Sequence, residues 1–218
     1  MPEIEIAIVP VTPFQQNCAL VWDRVTHRGA VVDPGGEATK IAGEVERRGI
    51  IVESILLTHG HLDHAGGAAA LKAMLPGEVP IIGPGVADRP LLEGIEEQAR
   101  MFGVSGLATV TPDRWLADGE RVEVAGVAFQ VLHCPGHTPG HMVYFSPALR
   151  LALVGDVLFR GSIGRTDLPL GDHAALLRSI AEKLLPLGDD VAVLSGHGPA
   201  TTIGEERRGN PFLVPGTR

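Results

Sequence analysis

Three imidazoles and one carboxylate fall within six residues in His59-Gly60-His61-Leu62-Asp63-His64. Each is a candidate metal ligand. A lone histidine is most often a surface residue or a satisfied core residue. An H-x-H-x-D-H run is too dense in donors to be read that way. His137, Asp156 and His197 carry a second signature. Each lies inside glycine or proline punctuation, in Cys134-Pro135-Gly136-His137-Thr138-Pro139-Gly140, in Gly155-Asp156 and in Gly196-His197-Gly198-Pro199. Glycines at such places let backbone approach a shared point closely. A single tetrahedral zinc takes about four ligands, or three and a water at a catalytic centre. Seven donors therefore indicate two divalent metal ions with one carboxylate between them. Zinc is the first expectation, and iron or manganese suit the same donors.

Strands and helices must bring these groups together. The run Ile50–Leu57, rich in β-branched residues, reads as a buried strand that ends at the histidine cluster. Residues 65–75 then read as a helix. In open α/β structures ligand sites gather where strands end. Residues 4–11, 17–22 and 29–33 read as strands, the last two joined as a hairpin. Asp33-Pro34-Gly35-Gly36 reads as a breaker. Residues 37–48 show helical spacing, with Ile41 and Val45 on one face, Glu37 near the start and Arg47-Arg48 near the end to suit the helix dipole. Pro80–Gly83 is a short strand, and 87–102 a broken helix over the site. Strands follow at 119–124, 127–133, 141–145, 151–154 and 191–194. The first two pair, and every ligand candidate lies at a strand end. Residues 172–185 read as a helix capped by Asp172, and the tail after His197 is short. The pattern is α/β, one domain over residues 1–218 with two β-rich halves, each covered by helices.

Composition sets the outer limits. At 218 residues and 44% hydrophobic the chain can build a large core, and with 4% aromatics that core must be mostly aliphatic. A net charge of -8 and no basic run argue against a nucleic-acid partner. No signal sequence is visible and no apolar run approaches ~18 residues, so no membrane partner is expected. Two cysteines, Cys18 and Cys134, make no disulfide framework. They read as reduced thiols of a cytoplasmic protein. His133 reads as a core residue, and His27 and His173 as exposed.

Taken together, T-H-x-H-x-D-H followed by G-H-T-P-G, G-D and G-H-G contexts resembles the metallo-β-lactamase superfamily, over nearly the whole chain and in the family's order. The resemblance implies an αβ/βα sandwich of two mixed sheets flanked by helices. It implies one ion on His59, His61 and His137, a second on Asp63, His64 and His197, and Asp156 as the bridge. Two ions about 3.5–4 Å apart bring the pKa of a shared water toward neutrality. Asp63, which can hold that water's proton, is the expected catalytic residue.

The segment 134–145, with its second histidine His141, together with 155–159, 161–169 and 196–206, resembles the short, single-domain bacterial branch of glyoxalase II-like enzymes. That implies a thioesterase acting on S-lactoylglutathione or a related hydroxyacyl thioester, by attack of a metal-bound hydroxide. His141 and Arg165 are its substrate-binding candidates. Arg165 could grip a substrate carboxylate in bidentate fashion, or pair with Asp167 instead. Longer glyoxalase II enzymes carry a C-terminal helical domain that holds the glutathione carboxylates. This chain stops about twenty residues after His197, so no such domain is expected. The runner-up is a mononuclear-iron persulfide dioxygenase using His59, His137 and Asp156. His141 stands where that group has cysteine, and the second-site ligands are intact. A lactonase or β-lactamase ranks lower, since fold does not set substrate.

Overall fold

Alternating side chains in one early strand explain the layering. In β2 (Gln16–Asp23), Cys18, Leu20 and Trp22 enter one core while Ala19 and Val21 enter another. Successive side chains of a strand point to opposite faces, and here both faces are covered. The structure, a computed structural model, describes residues 2–214.

The first half contains β1 (Ile4–Val11), β2, β3 (Arg28–Val32), α1 (Ala38–Arg48), β4 (Ile51–Leu56), α2 (Leu62–Ala65) and α3 (Ala68–Met74). It continues through β5 (Ile81–Gly85), α4 (Arg89–Glu93), α5 (Ile95–Phe102) and β6 (Arg114–Leu116). The second half contains β7 (Arg121–Val124), β8 (Val127–His133), β9 (Met142–Ser146), β10 (Leu151–Gly155) and the small hairpin β11 (Leu158–Phe159) with β12 (Ser162–Ile163). It closes with α6 (His173–Ser179), β13 (Ala192–Ser195), β14 (Thr201–Thr202) and α7 (Ile203–Gly209).

Two six-stranded sheets result, in the orders β1-β2-β3-β4-β5-β6 and β14-β13-β10-β9-β8-β7. Both are mixed: β3, β4, β5 and β6 run parallel, as do β10 and β13, and the other pairs are antiparallel. The sheets pack face to face through Val21, Val32, Leu56, Phe129, Val131, Tyr144 and Leu153. The outer face of the first is covered by α1, α3 and α5 through Ile41, Val45, Leu71 and Ile95. The outer face of the second is covered by Leu176, Ile180 and Ile203. This is the expected αβ/βα sandwich of two mixed sheets flanked by helices.

Local chemistry fixes the ends. Helix α1 stops where Gly49 takes φ 66°, with Gly49 N–H donating to Glu46 O and Ile50 N–H to Val45 O. Glu37 lies at the other end but does not cap it; its carboxylate accepts from Thr12 N–H at 2.7 Å. The helix expected over 65–75 begins earlier and is broken. Gly67 N–H donates to Pro34 O and Ala108 N–H to Gly66 O, so the chain changes direction between α2 and α3. Asp172 caps α6 as expected, accepting from Ala175 N–H at 2.9 Å. The helix beyond it loosens into a π turn at Ile180–Leu184, where Leu185 N–H donates to Ile180 O. After His197 the chain is more ordered than a short tail. Thr202 caps α7, and buried Glu206 accepts from Gly161 N–H, Thr201 Oγ1 and Asn210 Nδ2. No helix among the described residues is long and apolar enough to cross a membrane.

Candidate metal centre

Five strand ends deliver the donors. His59 and His61 follow β4 in extended chain; Asp63 and His64 lie on the single turn of α2, which His61 enters with φ -70° and ψ 151°. His137 is in the loop between β8 and β9, Asp156 directly follows β10, and His197 follows β13. Asp33 follows β3. The candidate ligand atoms of His59, His61 and His137 all lie within 4.8 Å of one another, and so do those of Asp63, His64 and His197. Asp156 stands between the two groups. Its Oδ2 is 3.5 Å from His137 Nε2 and 3.6 Å from His197 Nε2, and its Oδ1 is 3.3 Å from His64 Nε2. All seven residues named from the sequence are thus brought together. Gly155 and Gly196 make room. A Cβ on Gly196 would meet Asp156 Oδ1 at 2.3 Å and His64 Cε1 at 2.4 Å, and Gly155 turns with φ 49°.

The imidazoles are oriented from behind. Thr58 Oγ1 is 3.0 Å from His59 Nδ1, Arg165 O is 2.7 Å from His137 Nδ1, Asp33 Oδ2 is 2.9 Å from His64 Nδ1, and Phe14 O is 3.1 Å from His197 Nδ1. Each partner takes the far ring nitrogen and leaves Nε2 facing inward, the arrangement that fixes ligand tautomers in metal sites. His59 Nε2 and Asp156 Oδ1 are buried with no hydrogen-bond partner. Orphaned buried polar atoms are rare and costly. Aimed into a ring of nitrogens and carboxylates, these two are what a pair of cations would satisfy, so the donor set fits the two-ion reading.

Electrostatics divides the centre. Burial, reinforced by neighbouring imidazoles, holds His59 far below the ordinary imidazole value and His61 down to about 3. Their lone pairs are free at neutral pH. Burial acts against charge on His64 too, but the Asp156 and Asp63 carboxylates outweigh it and raise His64. His197 is raised against burial by Asp63 and Asp156. Burial opposes ionisation of Asp63 and Asp156, yet His64 and its neighbours bring both below the usual carboxylate range.

His141 is fully buried, stacked on His59 with ring centroids 4.6 Å apart, and its Nε2 accepts from Asp156 N–H at 3.1 Å. Its position backs Asp156 rather than facing solvent. The Arg165 guanidinium is at the surface, paired with both oxygens of Asp167 at 2.8 and 2.9 Å. His133 is half-buried outside the centre, 2.8 Å from Pro139 O. Sequence reasoning took Asp33 for part of a breaker. It accepts from Thr58 N–H and Oγ1 as well as facing His64. Its strand-end placement before Pro34-Gly35-Gly36 was the signal that could have found it. Asp88 was also missed, inside the stretch read as a broken helix. Both cysteines are free and buried.

Comparison with known proteins agrees with this geometry. The family described as the metallo-beta-lactamase superfamily matches residues 11–197. The chain is 47% identical over 211 residues to "Hydroxyacylglutathione hydrolase GloC" of Haemophilus influenzae, covering 96% of this chain and 98% of that one. Among solved structures, "BLEG-1 B3 metallo-beta-lactamase" superposes with a TM-score of 0.88 at 36% identity, covering 96% of this chain and 100% of that one. "TTHA1623 in a di-iron-bound form" superposes with a TM-score of 0.84 at 40% identity, covering 95% and 100%.

Proposed function

We propose, for a chain that belongs to the metallo-β-lactamase superfamily, the hydrolysis of a hydroxyacyl thioester, with S-lactoylglutathione as the first substrate to test. The likeness along nearly its whole length to the Haemophilus hydroxyacylglutathione hydrolase carries this reading. The donor set supports a dinuclear centre in which His59, His61 and His137 would hold one ion and Asp63, His64 and His197 the other, with the Asp156 carboxylate lying between the two groups. Zinc and iron both suit it, and the di-iron neighbour makes iron a candidate of equal standing. When bound, two such ions supply Lewis acidity to a water and to the carbonyl oxygen.

The chain's own groups do the rest. Asp63 is the least buried carboxylate of the centre, with Oδ2 3.2 Å from His197 Nε2, so it is placed to take and return a proton. Hydrolysis breaks the acyl C–S bond, adds hydroxyl to the acyl carbon and leaves the proton on the thiol. His141 holds the Asp156 backbone. The Arg165 carbonyl orients His137, and its guanidinium meets a substrate carboxylate only by exchanging Asp167 for it.

The likeness to a B3 metallo-β-lactamase favours β-lactam opening as the second reading. Metal-replete protein assayed with S-lactoylglutathione and with a chromogenic cephalosporin separates the two. Faster turnover of the thioester is expected. Turnover of the cephalosporin alone makes the second reading the leading one, and no turnover of either with the metals in place refutes the thioester proposal.

A further inference from the structure

Asp88 is fully buried in a short helical turn after β5, outside every ligand set, and its carboxylate accepts three hydrogen bonds. Oδ2 accepts from Gly60 N–H at 2.8 Å and from Thr138 Oγ1 at 2.7 Å; Oδ1 accepts from Gly140 N–H at 2.5 Å. The distribution of these donors is selective. Gly60 is the residue between His59 and His61. Thr138 directly follows His137, and Gly140 closes the same loop. Each ligand of the first triad is therefore one residue from a bond to Asp88. One carboxylate oxygen joins two loops that are 78 residues apart in the chain, from Gly60 to Thr138.

The second triad is held otherwise. Asp33 takes His64 Nδ1, and Phe14 O and Asn17 secure the His197 loop, the latter donating to Ser195 O and Gly198 O. Among the described bonds, none runs from Asp88 to that set. A buried charge is expensive unless fully hydrogen-bonded, so a carboxylate kept at this place needs a positional purpose.

We propose that Asp88 is the positioning residue of the His59/His61/His137 site alone, setting the separation of its two loops. The inference rests on the two-ion centre and not on the thioester.

The test is metal affinity, read site by site. Asp88→Asn is nearly isosteric but replaces one acceptor oxygen by a donor amide. Thr138→Val removes one donor while leaving Asp88. Cobalt(II) is titrated into each chelator-stripped protein in competition with a chromophoric chelator. The paramagnetically shifted ring N–H signals of His137 and His64 report which site fills.

Outer partners of this kind are worth about 10–100-fold in metal affinity. Asp88→Asn is expected to weaken the site reported by His137 by that factor with the His64 site unchanged. Thr138→Val should show a smaller effect in the same direction. Equal weakening of both sites by Asp88→Asn, or no weakening, overturns the proposal. If Asp88→Asn does not fold, Thr138→Val decides, and an unchanged His137 site there overturns it. Wild-type protein that takes one ion only refutes the two-ion centre, a failure separate from any shift at His137.

Discussion

Asp63 and Asp156 are both carboxylates of one centre, and Asp63 is slightly the more exposed. Replacing Asp63 by alanine should lower kcat for the thioester at least about 100-fold, the scale of a lost general acid–base group, with the circular dichroism spectrum unchanged. A residual rate near wild type would contradict its role. The histidines give a pH prediction. In chelator-stripped protein His64 and His197 hold protons above the ordinary value of about 6.5, whereas metal ligation needs them neutral. Metal uptake at pH 7 should therefore release protons, and the release should fade as pH rises through their raised pKa values. His59 and His61 are already neutral and contribute none. Titration calorimetry in two buffers of different ionisation enthalpy measures this; equal heats would contradict it. At this scale the sequence was most informative for residues marked by strand ends and glycine. His59, His137, Asp156 and His197 carry that mark. Asp33 carries it too but beside a proline that reads as a turn. Asp88 carries none, because its importance arises only from Gly60, Thr138 and Gly140 meeting around it.

Elements long enough to show a period were legible. Residues 4–11 and 127–133 alternate along a strand, and Ile41 and Val45 mark one face of α1. The two- and three-residue strands β6, β11, β12 and β14 are too short for any period to register. α7 was missed because its apolar face is little more than Ile203, packed on the outer core. The break between α2 and α3 depends on where Pro34 O and Ala108 N–H lie, which local sequence does not contain. Contacts between elements also carry stability. The Tyr144 hydroxyl of β9 donates to Leu57 O at 2.6 Å, joining the second sheet to the residue before Thr58. Tyr144→Phe leaves that buried carbonyl without its partner and should cost about 1–3 kcal/mol in urea unfolding. A loss below experimental error would show that the carbonyl finds another donor. Asp172→Ala removes the α6 cap and should cost about 1 kcal/mol, with metal content unchanged.

At the scale of the molecule, the inter-sheet core is the frame on which five strand ends converge. Phe129 is fully buried in that core, so Phe129→Ala should cost about 3–5 kcal/mol. Because the centre draws on both sheets, chelation should lower the melting temperature, and saturating metal should restore it. The overall layering was legible because both sheets have buried faces that read as apolar runs. The order of strands was not, since pairing such as β10 with β13 joins residues some 40 apart. The most direct test of the account is S-lactoylglutathione hydrolysis followed while zinc or iron is added back stepwise to stripped protein, with bound metal counted by elemental analysis. The rate is expected to rise as the second ion per chain fills, and to stay near background in Asp63→Ala at the same metal content. Full turnover at one ion per chain, or two bound ions with no thioester hydrolysis, would contradict it.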